Sequence, residues 1–98
     1  MVKMVIEKGT GKNKKWKAIF YDDEGKKIKT TQFGDSRYED YTISKDKKQR
    51  EKYRSRHKGT LEKTDYMSPS HLSFYILWGA STNRNTNIKK YKKMFKLT

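Results

Sequence analysis

The sequence has no cysteine, a single proline and only six glycines in 98 residues. Without cysteine there can be neither a disulfide framework nor thiolate-held zinc, and the chain suits a reducing compartment. Two histidines alone make a poor metal site. Acidic side chains are also scarce, eleven against twenty-five basic ones, and most sit in a turn or beside basic neighbours. That argues against metal-dependent phosphodiester cleavage, which needs several converging carboxylates. No long apolar run is present: Phe74 to Trp78 is far short of the roughly 20 residues that cross a bilayer. The N-terminus lacks the apolar stretch and small-residue cleavage site of a secretory signal, so the expected setting is intracellular, with no membrane span. The glycines of Gly9 to Lys15, GTGKNKK, lack the spacing and following Ser/Thr of a phosphate-binding P-loop.

What is present is positive charge and aromatic carbon. The net charge is +14, and apolar residues make up only 32% of the chain, yet thirteen of them are aromatic. One domain, residues 1–98, with a small aromatic core is the reading that fits. An excess of one sign on this scale points to an anionic partner, nucleic acid first and an acidic protein or membrane surface after it.

The hydrophobic pattern predicts an α+β fold, a small antiparallel sheet made of an N-terminal strand and a β-hairpin, followed by about three helices. Val2, Met4 and Ile6 alternate with Lys3, Val5 and Glu7 at the period of a strand. Lys15–Tyr21 and Lys26–Phe33 flank Asp22-Asp23-Glu24-Gly25, a type I turn with Gly25 in the left-handed position. Pairing Asp22 with Lys26 sets Phe20 against Ile28, Ala18 against Thr30 and Trp16 against Gln32. The opposite face then carries Lys15, Lys17, Tyr21, Lys27 and Lys29 around Ile19. Gly34 to Ile43 connects sheet to helices, and Tyr38 and Tyr41 within it are expected to pack. Thr60 to Met67 reads as irregular. Ser68-Pro69 caps a helix whose segment LSFYILW is apolar nearly all round and must be buried, closing at Gly79. A last helix capped by Thr86 or Asn87 sets Ile88, Tyr91 and Phe95 in one stripe among lysines.

Ser44 to Lys58, SKDKKQREKYRSRHK, concentrates eight Lys or Arg against Asp46 and Glu51. It has no Gly or Pro before Gly59, and Ser44 can cap it, so a helix is expected. At 100° per residue Asp46, Gln49, Arg50, Tyr53 and His57 fall on the protein side, and Lys47, Lys48, Glu51, Lys52, Arg54, Ser55 and Lys58 largely on the other. A solvated face is the plain explanation of such a helix; repulsion among like charges, relieved when phosphates neutralise them, favours a polyanion. The candidate nucleic-acid contacts are Lys47, Lys48, Lys52, Arg54 and Lys58, then Lys89, Lys90 and Lys93, with Lys17, Lys27 and Lys29 as an extension. No base-reading motif is present, so contacts to phosphates with low sequence selectivity are expected. Asp46, Arg50, Tyr53, Arg54, Arg56 and His57 have the residue types of a nuclease cluster, but nothing in their pattern supports catalysis. No catalytic residue, metal ligand or cofactor is assigned.

The blocks KKWKAIFYDDEGKKIKTTQFGD, YEDYTISKDKKQREKYRSRHK and HLSFYILWGASTNRNTNIKKYKKMF resemble a small basic protein family of large eukaryotic DNA viruses, chlorella virus and mimivirus-like, over roughly residues 14 to 97. The resemblance implies a viral origin and leaves the first strand outside the shared part; it brings no established activity. A non-enzymatic nucleic-acid-binding protein serving genome packaging or replication is the leading expectation. The rival is a virion structural or scaffold protein that binds acidic viral or host partners. Docking on an anionic membrane ranks third, because no exposed apolar helix face is evident.

Overall fold

Three apolar alternations build the sheet. In the computed structural model, which describes residues 1–98, they form strands β1 (Lys3–Lys8), β2 (Lys14–Tyr21) and β3 (Lys27–Asp35), antiparallel in the order β1-β2-β3. Met4 lies against Phe20, Ile6 against Ala18, Ala18 against Thr31, and Trp16 against Phe33, and this face meets the core. The other face carries Lys3, Tyr21 and Lys27, then Val5, Ile19 and Thr30, then Glu7, Lys17 and Gln32. The helical segments pack against the first face, so the fold is the expected α+β arrangement. Residue Thr98 continues the sheet on the free edge of β1, donating to the Val2 carbonyl and accepting from the Met4 amide, each at 2.9 Å.

The hairpin turn forms where the sequence places it. Asp22 accepts from the amides of Glu24 (3.0 Å) and Lys26 (2.9 Å), and Gly25 adopts φ +81°, a left-handed conformation that glycine takes without a side-chain clash. The register beyond the turn differs by one residue from the expected one. Ile28 is an extra residue on β3, so Phe20 pairs with Lys29 rather than Ile28, and Trp16 with Phe33 rather than Gln32. The bulge exchanges burial of one aliphatic side chain for a larger aromatic one: Phe33 becomes 2% exposed while Ile28 stays 45% exposed.

Four helices follow: α1 (Tyr41–Ser44), α2 (Lys47–His57), α3 (Pro69–Leu72) and α4 (Arg84–Met94), with a 3-10 turn over Lys58–Lys63 after α2. The additional helix is the single turn α1. Lys45, at φ 58°, separates α1 from α2, so Asp46 rather than Ser44 caps α2, accepting from the amides of Lys48 (3.0 Å) and Gln49 (3.2 Å). Gly59 does not stop the chain, which runs through it into the 3-10 turn and occupies part of the segment expected to be irregular. Ser68 and Pro69 open α3 as expected, and Asn83, three residues before Thr86, caps α4. Tyr41 is buried, whereas Tyr38 is 67% exposed and packs little. No helix is long and apolar enough to cross a membrane.

After Leu72 the chain widens into a π-helical turn, Ser73–Leu77, closed by a bond from the Trp78 amide to the Ser73 carbonyl. Phe74, Ile76, Leu77 and Trp78 are buried here, with Ile76, Leu77 and Trp78 joining Phe20, Phe33, Leu72 and Tyr91 in one core cluster. A helix end this deep in the core leaves carbonyls that water cannot reach, and each needs a donor. Arg50 Nε donates to the Gly79 carbonyl at 2.7 Å, and Arg54 donates to those of Trp78 (2.8 Å) and Phe74 (3.2 Å). From the other flank the Asn87 side-chain amide donates to the carbonyls of Ile76 (2.9 Å) and Ser81 (2.7 Å) and accepts from the Ser81 amide. Thus α2 and α4 are fastened to the same buried segment.

Gly79 sits where this fastening is tightest. A Cβ there would lie 2.1 Å from the Tyr75 carbonyl oxygen and 2.9 Å from Asn87 Cγ, whereas nothing lies within 4 Å of one at Gly59. Gly79→Ala should therefore lower the unfolding free energy by about 2 kcal/mol or more, the cost of overpacking. Gly59→Ala, in a helical turn, should change it little or raise it by about 0.5 kcal/mol. Urea denaturation of both variants checks the contrast, and equal effects would mean that Gly79 is not closely packed.

His71, in α3, is buried and shares its Nδ1 with the hydroxyls of Thr64 (2.9 Å) and Ser68 (3.2 Å). Burial holds its pKa below the ordinary 6.5, with Asp65 opposing the shift. The unfolded chain then binds the proton more readily, so this contribution is complete above the unfolded value and declines as pH falls through and below it. The urea midpoint should fall between about pH 7.5 and pH 5.5, around the ordinary histidine pKa. In His71→Asn that fall should shrink; an unchanged pH dependence would remove His71 as its source.

Candidate nucleic-acid interface

The inward arc of α2 is set by what the buried helix end requires. Arg50, Tyr53 and Arg54 are half-buried on it: the two arginines reach carbonyls, and the Tyr53 ring stacks on Trp78 at 4.4 Å between centroids. Burial raises the Tyr53 pKa and lowers that of Arg54, whose guanidinium also lies 3.9 Å over the Phe74 ring. Arg54 is accordingly a structural cation turned toward the core, and its expected place among the phosphate contacts is corrected. The helical projection separates it from Arg50 by 40°, close enough for a long guanidinium to reach the same helix end. Asp46 and Gln49, expected on the inner side, are exposed, with Asp46 engaged as the cap.

The outward arc keeps the remaining lysines. Lys47, Lys48 and Lys52 are exposed along α2, Lys58 is exposed at the start of the 3-10 turn, and none takes part in an ion pair. Lys48, Lys52 and Arg56 follow one another at four-residue intervals and so form a stripe with about 6 Å of rise between members. On α4, Lys89, Lys90 and Lys93 are likewise exposed and unpaired, while Tyr91 faces the core and its hydroxyl donates to the Tyr66 carbonyl. Both sets belong to the helical side of the molecule.

Two of the three sheet lysines do not join them. Lys17 and Lys27 lie on the face of the sheet turned away from the helices, and Lys17 Nζ is 3.8 Å from Glu7. Lys29, through the bulge at Ile28, shares the pairing position of Phe20 and is separated from both. The expected hairpin patch of Lys17, Lys27 and Lys29 is therefore divided between two faces. The displaced register is the reason, and no periodicity in the strand itself signals it.

Two features escaped the sequence reading. Lys15 bonds to Asp40 at 2.6 Å with both side chains largely buried, tying β2 to the cap of α1. Arg84, the first residue of α4, lies 3.8 Å over the Trp16 ring with its buried Nε lacking a hydrogen-bond partner. It borders a pocket of about 320 Å³ with Thr42, Thr82, Asn83 and Asn85. A cation at the positive end of a helix is electrostatically unfavourable, and the indole face offsets part of that cost.

Fold and surface together define a small basic α+β domain whose two longer helices, bolted to one buried π-helical segment, turn unpaired lysines outward. Residues 4–57, more than half of the chain, match the model of a family described as "Family of unknown function (DUF5754)", and the chain belongs to that family. The matched part runs from the second residue of β1 to the last residue of α2. No curated protein and no solved structure matches the chain.

The opposite roles of Arg54 and Lys52 are testable. Arg54→Ala strands two buried carbonyls and should lower stability by about 2 kcal/mol, as for bonds from charged donors. Lys52→Ala should stay within about 0.5 kcal/mol of the parent chain. Urea midpoints compare them, and a stability-neutral Arg54→Ala would contradict the carbonyl role.

Proposed function

We propose that the protein is a non-catalytic nucleic-acid-binding module that holds phosphates through the outward lysines of α2, with those of α4 adding to the field. The observation that carries this reading is the absence of ion pairs at Lys47, Lys48, Lys52, Lys58, Lys89, Lys90 and Lys93, although eleven acidic residues exist in the chain. Glu39, Asp46 and Glu51 border Lys48 and Lys52 without pairing with them, so the repulsion among the lysines is only partly offset, and phosphates relieve the rest with release of bound counterions. Contacts of this kind fix position without reading bases, so binding has low sequence selectivity. Lys17, paired with Glu7, contributes least. In a virus, the origin that the resemblance described above implies, such a module would suit genome packaging or replication support.

Fluorescence anisotropy with a labelled oligonucleotide tests the proposal. If about four lysines meet phosphates, affinity should fall roughly a hundredfold between about 50 and 200 mM salt. Lys48→Glu with Lys52→Glu should weaken binding at least about tenfold, and Lys17→Glu much less. No binding at low salt would end the reading. Equal affinity for polyglutamate would transfer it to acidic protein partners and the scaffold role.

A further inference from the structure

A column of three rings climbs from the core to the surface along α2. Trp78, 7% exposed, stacks with Tyr53 at 4.4 Å and 8°; Tyr53 in turn packs against His57, the two rings tilted by 30° with centroids 4.2 Å apart. His57 is exposed, and its ring meets no aromatic ring other than Tyr53. A surface imidazole ordinarily samples several rotamers, whereas this one rests on the half-buried Tyr53 ring, which is itself stacked on the buried Trp78.

The column opens into a groove of about 780 Å³ whose walls include Lys14, Gln32, Tyr38, Gln49, Arg56 and His57. Its acidic groups are largely spoken for. Asp40 is held by Lys15, and Asp35 by Arg37 through bonds that pull its pKa down to about 2, leaving Glu39 as the one lining carboxylate without an ion pair. Lys14, opposite Asp35 in the β2–β3 register, and Arg56 are exposed on the same walls, neither in an ion pair. The groove thus joins a ring supported from below, an exposed tyrosine and two exposed cations, and the ligand matching both properties carries flat rings on a phosphate chain.

We infer that this groove takes a single-stranded stretch of nucleic acid, with one base stacked on the outer face of His57 and the neighbouring phosphates drawn to Arg56 and Lys14. The inference rests on the nucleic-acid reading above and narrows its substrate class. Bases within a duplex are stacked on one another and offer no face to a side chain; an unpaired base does. Every base has such a face, so stacking adds affinity without sequence selectivity. Ring order matters because a platform fixed before binding avoids the entropy of immobilising it.

The simplest alternative gives His57 only an electrostatic part at the C-terminal end of α2, where a cation suffices. Two variants separate the cases, since His57→Phe keeps a ring and His57→Lys keeps a cation. Anisotropy at one low salt concentration is measured with a base-bearing single strand and with an abasic strand of the same length and phosphate count. The parent chain should bind the base-bearing strand about tenfold more tightly, the gain from roughly one stacked base. His57→Phe should keep that ratio, and His57→Lys should reduce it to near one. Equal affinity for the two strands in the parent chain, or equal ratios in the two variants, would overturn the stacking inference and leave the phosphate reading standing. Failure of the parent chain to bind either strand would overturn both.

Discussion

The buried end of the π-helical turn governs the arrangement of everything packed around it. The carbonyls of Phe74, Ile76, Trp78 and Gly79 lie where water cannot satisfy them, and Arg54, Asn87, Arg54 again and Arg50 supply the donors. An unpaired carbonyl in such a place costs more than its hydrogen bond contributes, so the donors cannot be dispensed with. Because they come from α2 on one flank and α4 on the other, a requirement of the core determines how two basic helices are held. α2 buries none of its residues fully, and its attachment depends on long guanidinium arms and on the Tyr53–Trp78 stack. The outward lysines are a consequence: with the inner arc occupied by Arg50, Tyr53 and Arg54, the rest of the helix faces solvent.

Much of the fold was legible because local chemistry and burial agreed. The Asp22–Gly25 turn, the Ser68-Pro69 helix start and the apolar run to Trp78 each carry their own signal, and each formed at the expected place. Register and caps were less legible, since competing solutions differ by one residue. Ile28 and Phe33 cannot both occupy the inner face of β3 without an extra residue, and only the core's preference for the larger ring decides between them. Ser44 and Asp46 are both competent caps; the left-handed turn at Lys45 selects Asp46, whose carboxylate reaches two amides. Tyr38 carries no mark distinguishing it from the buried Tyr41, because their fates depend on where the chain from Gly34 crosses the sheet end.

The candidate site was legible as composition and illegible as geometry. Lys47, Lys48, Lys52 and Lys58 lie outward as a helical projection requires, and so do Lys89, Lys90 and Lys93. Arg54 lay on the wrong side of that projection because its destination is a set of carbonyls on another element. A buried apolar helix ending at a glycine was itself the available hint: its last carbonyls need donors, and arginines in a nearby basic helix can provide them. The division of the hairpin lysines followed from the bulge, and the ring column required knowing that Trp78 ends beneath Tyr53.

The two kinds of cation have separate tasks, which changes what net charge means for this chain. Of its five arginines, Arg37 is bound to Asp35, Arg50 and Arg54 to backbone carbonyls, and Arg84 to the face of Trp16; Arg56 alone stands free. The planar guanidinium is weakly hydrated and can stack and donate at once, so it tolerates partial burial. Ammonium groups do not share that tolerance, and among the lysines only Lys15 enters a short, buried ion pair. The arginines therefore cannot be counted with the lysines as charge offered to a partner, since most already serve the fold. The field that remains is a lysine field on flexible stems, which under the proposed function would follow a phosphate chain of variable course. The column ending at His57 adds the one rigid feature beside it.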